Sequence, residues 1–131
     1  MSTKVLLVED NRDNLRLLAM CLEFRGIVVE QALNGSQALQ RLECESFDVV
    51  VSDVRMPGLN GFELARHILD NLGSTPVVLM TADPTARMTK NIKKAGVSSL
   101  LIKPFRVREL VEAIRRSLHD KAKCALARSS T

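Results

Sequence analysis

Val49-Val50-Val51-Ser52-Asp53-Val54-Arg55-Met56-Pro57-Gly58-Leu59-Asn60-Gly61 is the stretch around which the rest of the chain is arranged. Three β-branched residues in a row read as a strand buried on both faces, which is the signature of a parallel sheet. The run stops at an acid followed by Pro-Gly and a second Gly, so Asp53 sits at the strand's carboxyl end. Open α/β sheets keep their chemistry at that edge.

Strands and helices alternate on either side of it. Lys4 to Val8 is a short apolar strand ending in Glu9-Asp10-Asn11, and Arg12 to Arg25 carries Leu15, Leu18 and Leu22 at helical spacing until Gly26 stops it. Ile27 to Ala32 is the second strand. Asn34-Gly35 opens a helix through Ala38, Leu39 and Leu42 to Cys44, and Phe47 to Asp53 is the central strand. Gly61 to Leu72 reads as the third helix, with Phe62, Ala65, Ile68, Leu69 and Leu72 inward and Gly73 as its stop. Val77 to Met80 is the fourth strand, followed by a helix from Pro84 to Ala95 closed by Gly96. Leu100 to Ile102 is the fifth strand. The last helix, Arg106 to Asp120, has Val107, Leu110, Val111, Ile114 and Leu118 on one stripe, the cleanest amphipathic pattern in the chain.

Five βα units with short connections give an α/β fold, a doubly wound five-stranded parallel sheet covered by five helices, because right-handed crossovers place helices on both faces. The length of 131 residues suits a single domain. Residues 4–120 form that domain, and residues 121–131, which lack a strong pattern, read as a C-terminal extension or frayed tail.

Composition excludes several classes of function. Apolar residues make up 46% and charged residues 26%, and no apolar run approaches the roughly 18 residues a membrane span needs. The opening Met1 to Lys4 leads into a strand rather than a signal peptide, so the expected location is cytoplasmic, with no membrane contact. Cys21, Cys44 and Cys124 lie far apart without metal-ligand spacing. Cys21 and Cys44 read as reduced packing residues, and Cys124 falls in the polar tail. A net charge of +4 raises the question of nucleic acid, but the basic residues are spread over helices and the chain has no Trp or Tyr to stack bases. Direct nucleic-acid binding is not expected.

The carboxyl ends of four strands carry polar groups: Glu9 and Asp10, Asp53, Thr81, and Lys103. A parallel sheet brings all of them to one edge. Taken singly, either aspartate could be a turn or capping acid, Thr81 a cap, and Lys103 a solvated lysine. Joint placement at successive strand ends favours a site. Three crowded carboxylates repel one another unless a cation neutralises them, and oxygen-only ligands suit a hard cation such as Mg²⁺, or Mn²⁺ in its place. In such a site Asp53 attacks phosphorus, the cation and Lys103 neutralise the equatorial oxygens, and Thr81 donates a hydrogen bond.

Val5-Leu6-Leu7-Val8-Glu9-Asp10-Asn11, Asp53 through Gly61, Thr81-Ala82 and Lys103-Pro104-Phe105 resemble the receiver domain of two-component response regulators, a similarity running over residues 4 to 119. The resemblance implies the strand order 2-1-3-4-5 and a flavodoxin-like, chemotaxis-regulator-like fold. It implies that Asp53 accepts a phosphoryl group from a phosphohistidine on a sensor histidine kinase or histidine phosphotransfer protein. Glu9, Asp10, Asp53 and the backbone carbonyl of Arg55 then hold Mg²⁺, Thr81 and Lys103 contact the phosphoryl group, and Lys103-Pro104 is cis. It further implies a phosphoacceptor signalling domain rather than an enzyme, one that promotes its own Mg²⁺-dependent phosphorylation and dephosphorylation. Ala82, Asp83, Leu100 and Pro104 stand at modulating positions. One departure matters: the family usually has Phe or Tyr three positions before the lysine, and this chain has Leu100. Either Leu100 merely packs, or output runs through another surface or the loop after Thr81.

The resemblance also implies that Arg55 and Asp83, two residues beyond the aspartate and the threonine, flank the site, where they form an ion pair that slows attacking water or are both simply solvated. The expected role is a stand-alone phosphorelay receiver read by a downstream protein whose identity the chain does not carry, or else a piece of a longer regulator or hybrid kinase, in which case the tail is the start of a linker. Arg87, Lys90, Lys93 and Lys94, with Arg106, Arg108, Arg115 and Arg116, make a basic face for an acidic partner or self-association, or an ordinary solvated surface. A homodimer would use the face of the Pro84 to Ala95 helix, the fifth strand and the last helix. The competing enzyme reading is a haloacid-dehalogenase-type aspartyl-phosphate phosphohydrolase, which wants a second acid where this chain has Arg55. A flavin carrier of the same topology ranks last, because Glu9-Asp10 would repel its phosphate.

Overall fold

Three of the strand-to-helix turns end in asparagine, and each asparagine starts a helix in the same way. The computed structural model describes residues 2–83, 85 and 96–129. In it Asn11, Asn34 and Asn60 accept hydrogen bonds from the backbone N–H groups of Asn14, Gln37 and Glu63 at 3.0, 2.8 and 2.9 Å. Glu63 returns the bond to Asn60 N–H, completing a capping box. Each cap is worth about 1 kcal/mol and fixes where the chain leaves the sheet edge.

The elements are β1 (Lys4–Val8), α1 (Arg12–Phe24), β2 (Val28–Ala32), α2 (Gly35–Cys44), β3 (Val49–Asp53), α3 (Gly61–Leu72), β4 (Val77–Thr81), β5 (Val97–Ile102) and α4 (Val107–Ser129). All five strands are parallel in the order β2-β1-β3-β4-β5. β3 and β4 are buried along their whole length, as their unbroken apolar runs require. Side chains alternate between two cores. Leu6, Val8, Val50 and Leu79 pack with Ala38, Leu64, Ala65 and Ile68 of α2 and α3. Val5, Leu7, Val51, Val78 and Met80 pack with Leu15, Ala19 and Leu22 of α1 and with Leu110, Ala113 and Ile114 of α4.

The register pairs Val8 with Ser52, Asp53 with Met80 and Thr81 with Ile102. The carboxyl ends of β1, β3, β4 and β5 are therefore nearly level, and the loops that carry Glu9, Asp53, Thr81 and Lys103 rise from one line.

Several expectations shift. β5 begins at Val97 rather than Leu100: Ser98 and Ser99 break the apolar run, yet the β4 ladder pairs Val97 with Val77 and Ser99 with Val78, and Ser98 stands in the irregularity between them. On α3 the inward residues are Leu64, Ala65 and Ile68, while Leu69 and Leu72 are exposed and Phe62 is half-buried. Gly61 sets that phase. A Cβ there would stand 2.5 Å from the carbonyl oxygen of Asp53 and 2.9 Å from Val54 Cα, so the first turn of α3 is pressed against the end of β3, and the positions three, four and seven residues on turn inward with it. Helix α4 runs to Ser129 instead of ending near Asp120, because Lys121 to Arg128 are mostly good helix formers with no Gly or Pro to stop them. Cys44 is exposed rather than packed, and Cys21 is half-buried. The helix expected at Pro84 to Ala95, with Arg87, Lys90, Lys93 and Lys94, and the side chain of Cys124 lie outside the described residues; four helices are described.

Gly61→Ala is expected to destabilise the fold by about 1–3 kcal/mol, since the added methyl meets backbone rather than a movable side chain. Urea unfolding measures it, and a loss below about 0.5 kcal/mol, the level of an ordinary surface change, would contradict this account of the α3 contact.

Candidate phosphoacceptor site

Asp53, the last residue of β3, is buried, as are Glu9 after β1 and Thr81 at the end of β4. Asp10 is exposed beside Glu9. One carboxylate oxygen each from Glu9, Asp10 and Asp53 lies within 4.8 Å of the others. From the end of β5 the Lys103 ammonium reaches back between them, donating to Asp53 Oδ2 and Glu9 Oε2, both at 3.4 Å. Lys103 N–H donates to Thr81 C=O at 2.7 Å, which ties the two loops together, and the Lys103–Pro104 peptide bond is cis.

One ammonium faces two acids at the long end of hydrogen-bond range, with a third acid beside them, so the cluster is short of positive charge. Glu9 registers this. Burial first, then the charge of Asp53 and a hydrogen bond with it, push its carboxyl above the usual 4.5, and Lys103 pulls it only part of the way back. The donors are all hard oxygens, with no His or Cys in the group, so the residues present fit a divalent cation of the Mg²⁺ or Mn²⁺ type.

Two openings lie at this edge of the sheet, one of them lined by Asp53. A cavity of about 240 Å³ is lined by Asp53, Arg55, Thr81, Ala82, Asp83 and Lys103. A shallower cleft includes Asp10, Arg55 and Asn60. Arg55, 82% exposed, reaches across the first opening to Asp83 at 3.6 Å. Asp83 is held in turn by Thr85, whose N–H and hydroxyl donate to Asp83 Oδ1 at 3.0 and 2.7 Å, and Asp83 N–H donates to Thr81 Oγ1 at 3.1 Å. The two bonds from Thr85, and then the Arg55 charge, hold the Asp83 carboxyl below the usual 3.8. Leu100 does not line either opening. It is half-buried against the α2/α3 core, opposite Leu79 in the ladder. Pro104 and Ala82 are exposed.

Sequence reasoning missed three contributors. Ser52 is fully buried, and its hydroxyl donates to the Asp53 carbonyl at 2.9 Å. Gly61 touches the same carbonyl. Thr85 was legible in principle, because Asp-Pro-Thr is a sequence in which the acid accepts bonds from the residue two positions on.

Comparison with known proteins decides the family. The profile described as "Response regulator receiver domain" matches residues 5–115. The chain belongs to the response regulator receiver domain family. As a receiver it is a signalling domain of two-component systems. It is 36% identical over 121 residues to the autoinducer 2 sensor kinase/phosphatase LuxQ of Vibrio vulnificus, covering 91% of this chain and 14% of LuxQ. Against the transcriptional regulatory protein ResD of Bacillus subtilis it is 30% identical over 129 residues, 98% of this chain and 53% of ResD. This receiver thus spans about half or less of the length of these two relatives. The response regulator TrrA of Thermotoga maritima, solved in complex with Mg²⁺ and BeF, superimposes with a TM-score of 0.82 at 28% identity, over 88% of this chain and 99% of TrrA. Among the described residues no helix is long and apolar enough to cross a membrane.

In chelator-containing buffer Glu9→Gln is expected to be more stable than the parent at neutral pH, because it removes a buried carboxylate that its surroundings disfavour as an anion. The folded pKa of Glu9 lies above its unfolded value, so the penalty is absent below about 4.5 and grows as pH rises through the raised folded value. Thermal unfolding across that range should show the gap closing on acidification. A variant less stable than the parent at neutral pH would contradict the charge imbalance.

Proposed function

We propose that this receiver accepts a phosphoryl group on Asp53 from a phosphohistidine of a sensor histidine kinase or histidine phosphotransfer protein, in a step that requires Mg²⁺ or Mn²⁺, and that the change is read by a downstream protein. The observation that carries this reading is the buried acid at the end of β3, flanked by two further carboxylates and bridged by Lys103. The relatives fit it: one carries sensor kinase/phosphatase in its name, another is a transcriptional regulatory protein, and TrrA binds Mg²⁺ with BeF. Residues 4–120 are the unit responsible, and a phosphohistidine donor of this kind implies a cytoplasmic setting.

An Asp53 carboxylate oxygen attacks phosphorus, a P–O bond forms as the P–N bond to the donor imidazole breaks, and the imidazole leaves with the bonding pair and takes a proton. Glu9, Asp10, Asp53 and the Arg55 carbonyl would hold a divalent cation, which when bound would supply positive charge to the phosphoryl oxygens. Lys103 turns its ammonium from the Asp53 carboxylate to the new phosphoryl oxygens. Thr81 keeps its bond from Asp83 N–H, because a hydroxyl accepts and donates at once, and gives its own proton to a phosphoryl oxygen. The loop from Thr81 through Thr85 therefore feels the phosphoryl group directly, and output begins there, while Leu100 packs where the family usually has an aromatic ring. The exposed Arg55–Asp83 pair stabilises the fold little, and its effect is to narrow the path of attacking water. The phosphohydrolase alternative wants an acid at position 55, where an arginine is salt-bridged outward to Asp83.

Intact-mass analysis after incubation with a small acyl phosphate is expected to show a Mg²⁺-dependent gain of one phosphoryl group, absent in Asp53→Asn and lost faster from Arg55→Ala than from the parent. An equal gain in Asp53→Asn, or a gain indifferent to the cation, would defeat the proposal. If neither the small donor nor a phosphohistidine protein loads the chain, the site is not a phosphoacceptor.

A further inference from the structure

Helix α1 carries two apolar stripes. Leu15, Ala19 and Leu22 face the sheet and are buried. Half a turn round the helix, Leu17, Met20 and Phe24 recur at i, i+3 and i+7 and stand 61%, 61% and 90% exposed. The first stripe is all that an amphipathic surface helix needs. The second leaves three large apolar side chains contiguous in water over two turns, a patch of a few hundred Å², the size that marks an interaction surface.

The edges of the stripe say what covers it. On one edge lie Arg16 and Glu23, seven positions apart, both exposed and neither ion-paired within the chain among the described residues. On the other edge lie Asn14 and Cys21, with the exposed Arg25 at the helix's end donating to the Cys21 carbonyl at 3.4 Å, and the exposed Asp13, one turn before Leu17, heads the stripe. We propose that this face of α1 pairs with the same face of a second copy of the chain, antiparallel about a two-fold axis. Spacings of three and four are those of a helix seam whose knobs enter the holes of a facing helix. Antiparallel pairing reverses the residue order, so Arg16 of each copy lies beside Glu23 of the other, and the two-fold axis makes the ion pair twice. Parallel pairing about a two-fold axis sets the Arg16 edge against the Asn14 and Cys21 edge of the other copy, so Arg16 finds no acid opposite it. A partner surface that is apolar in the centre and oppositely charged at the two ends of one edge is what this helix itself presents.

The seam is short, roughly 10 Å between Leu17 and Phe24 at 1.5 Å per residue, well below the extent of a standard interface of about 800 Å² per partner. The dimer is accordingly weak and concentration-dependent. It is independent of the chemistry at Asp53.

Sedimentation of the full chain over micromolar to millimolar concentrations tests the pairing, with circular dichroism to confirm that each variant is folded. The parent is expected to dimerise reversibly and Phe24→Glu to stay monomeric. Arg16→Glu should weaken association about tenfold or more by setting like charges together, and Arg16→Glu with Glu23→Arg should restore it to within about threefold of the parent. A parent that stays monomeric throughout, even one that binds a helical phosphodonor through the same stripe, would overturn the proposal. So would a dimer indifferent to Phe24→Glu, which places the interface elsewhere, or a double exchange that fails to rescue.

Discussion

The Lys103 ammonium stands 3.4 Å from both Asp53 Oδ2 and Glu9 Oε2, and it reaches them from a strand end far from either in sequence. That contact exists only because the parallel ladder sets the ends of β1, β3, β4 and β5 level, and because β5 lies beside β4 rather than next to β1. A shift of one residue in any strand would turn its terminal polar group to the other face and leave a buried acid without a partner. The fold can hold three acids together because the same geometry supplies the lysine, and because one lysine is too little charge, the three oxygen donors fit a cation beside it.

Much of this was legible in the chain. Val49 to Val51 announced a doubly buried strand, and the acid, proline and glycine after it announced the turn. The strand ends were found because apolar runs stop abruptly at charged residues. What escaped notice depended on distance rather than pattern. The inward face of α3 follows from the contact of Gly61 with the Asp53 carbonyl, which periodicity cannot see when Phe62, Leu69 and Leu72 are as apolar as Leu64. Ser98 and Ser99 look like a loop until Val97 and Ser99 pair with Val77 and Val78 of β4. Ser52 looks like surface polarity until the sheet covers it and its hydroxyl turns to the backbone of Asp53.

The loop after Thr81 links site to surface. Thr81 Oγ1, Asp83 and Thr85 form a chain of hydrogen bonds, and Asp83 also holds Arg55 across the opening beside Asp53. A change in what Thr81 contacts is thus a change in what guards the entrance. Leu100, packed on the α2/α3 core, adds no polar contact to that chain. The separate apolar stripe on α1 shows that the same fold, with one helix face unused by the core, has surface left for association of a different kind.

The central claim is that Asp53 is the residue that forms the acyl phosphate. Borohydride reduction of the phosphorylated protein converts an aspartyl phosphate to homoserine, and peptide mass mapping locates it. The account predicts homoserine at position 53 and at no other acid, including the neighbouring Asp10. Homoserine at Asp10, or phosphate that survives reduction on a Ser or Thr, would contradict it.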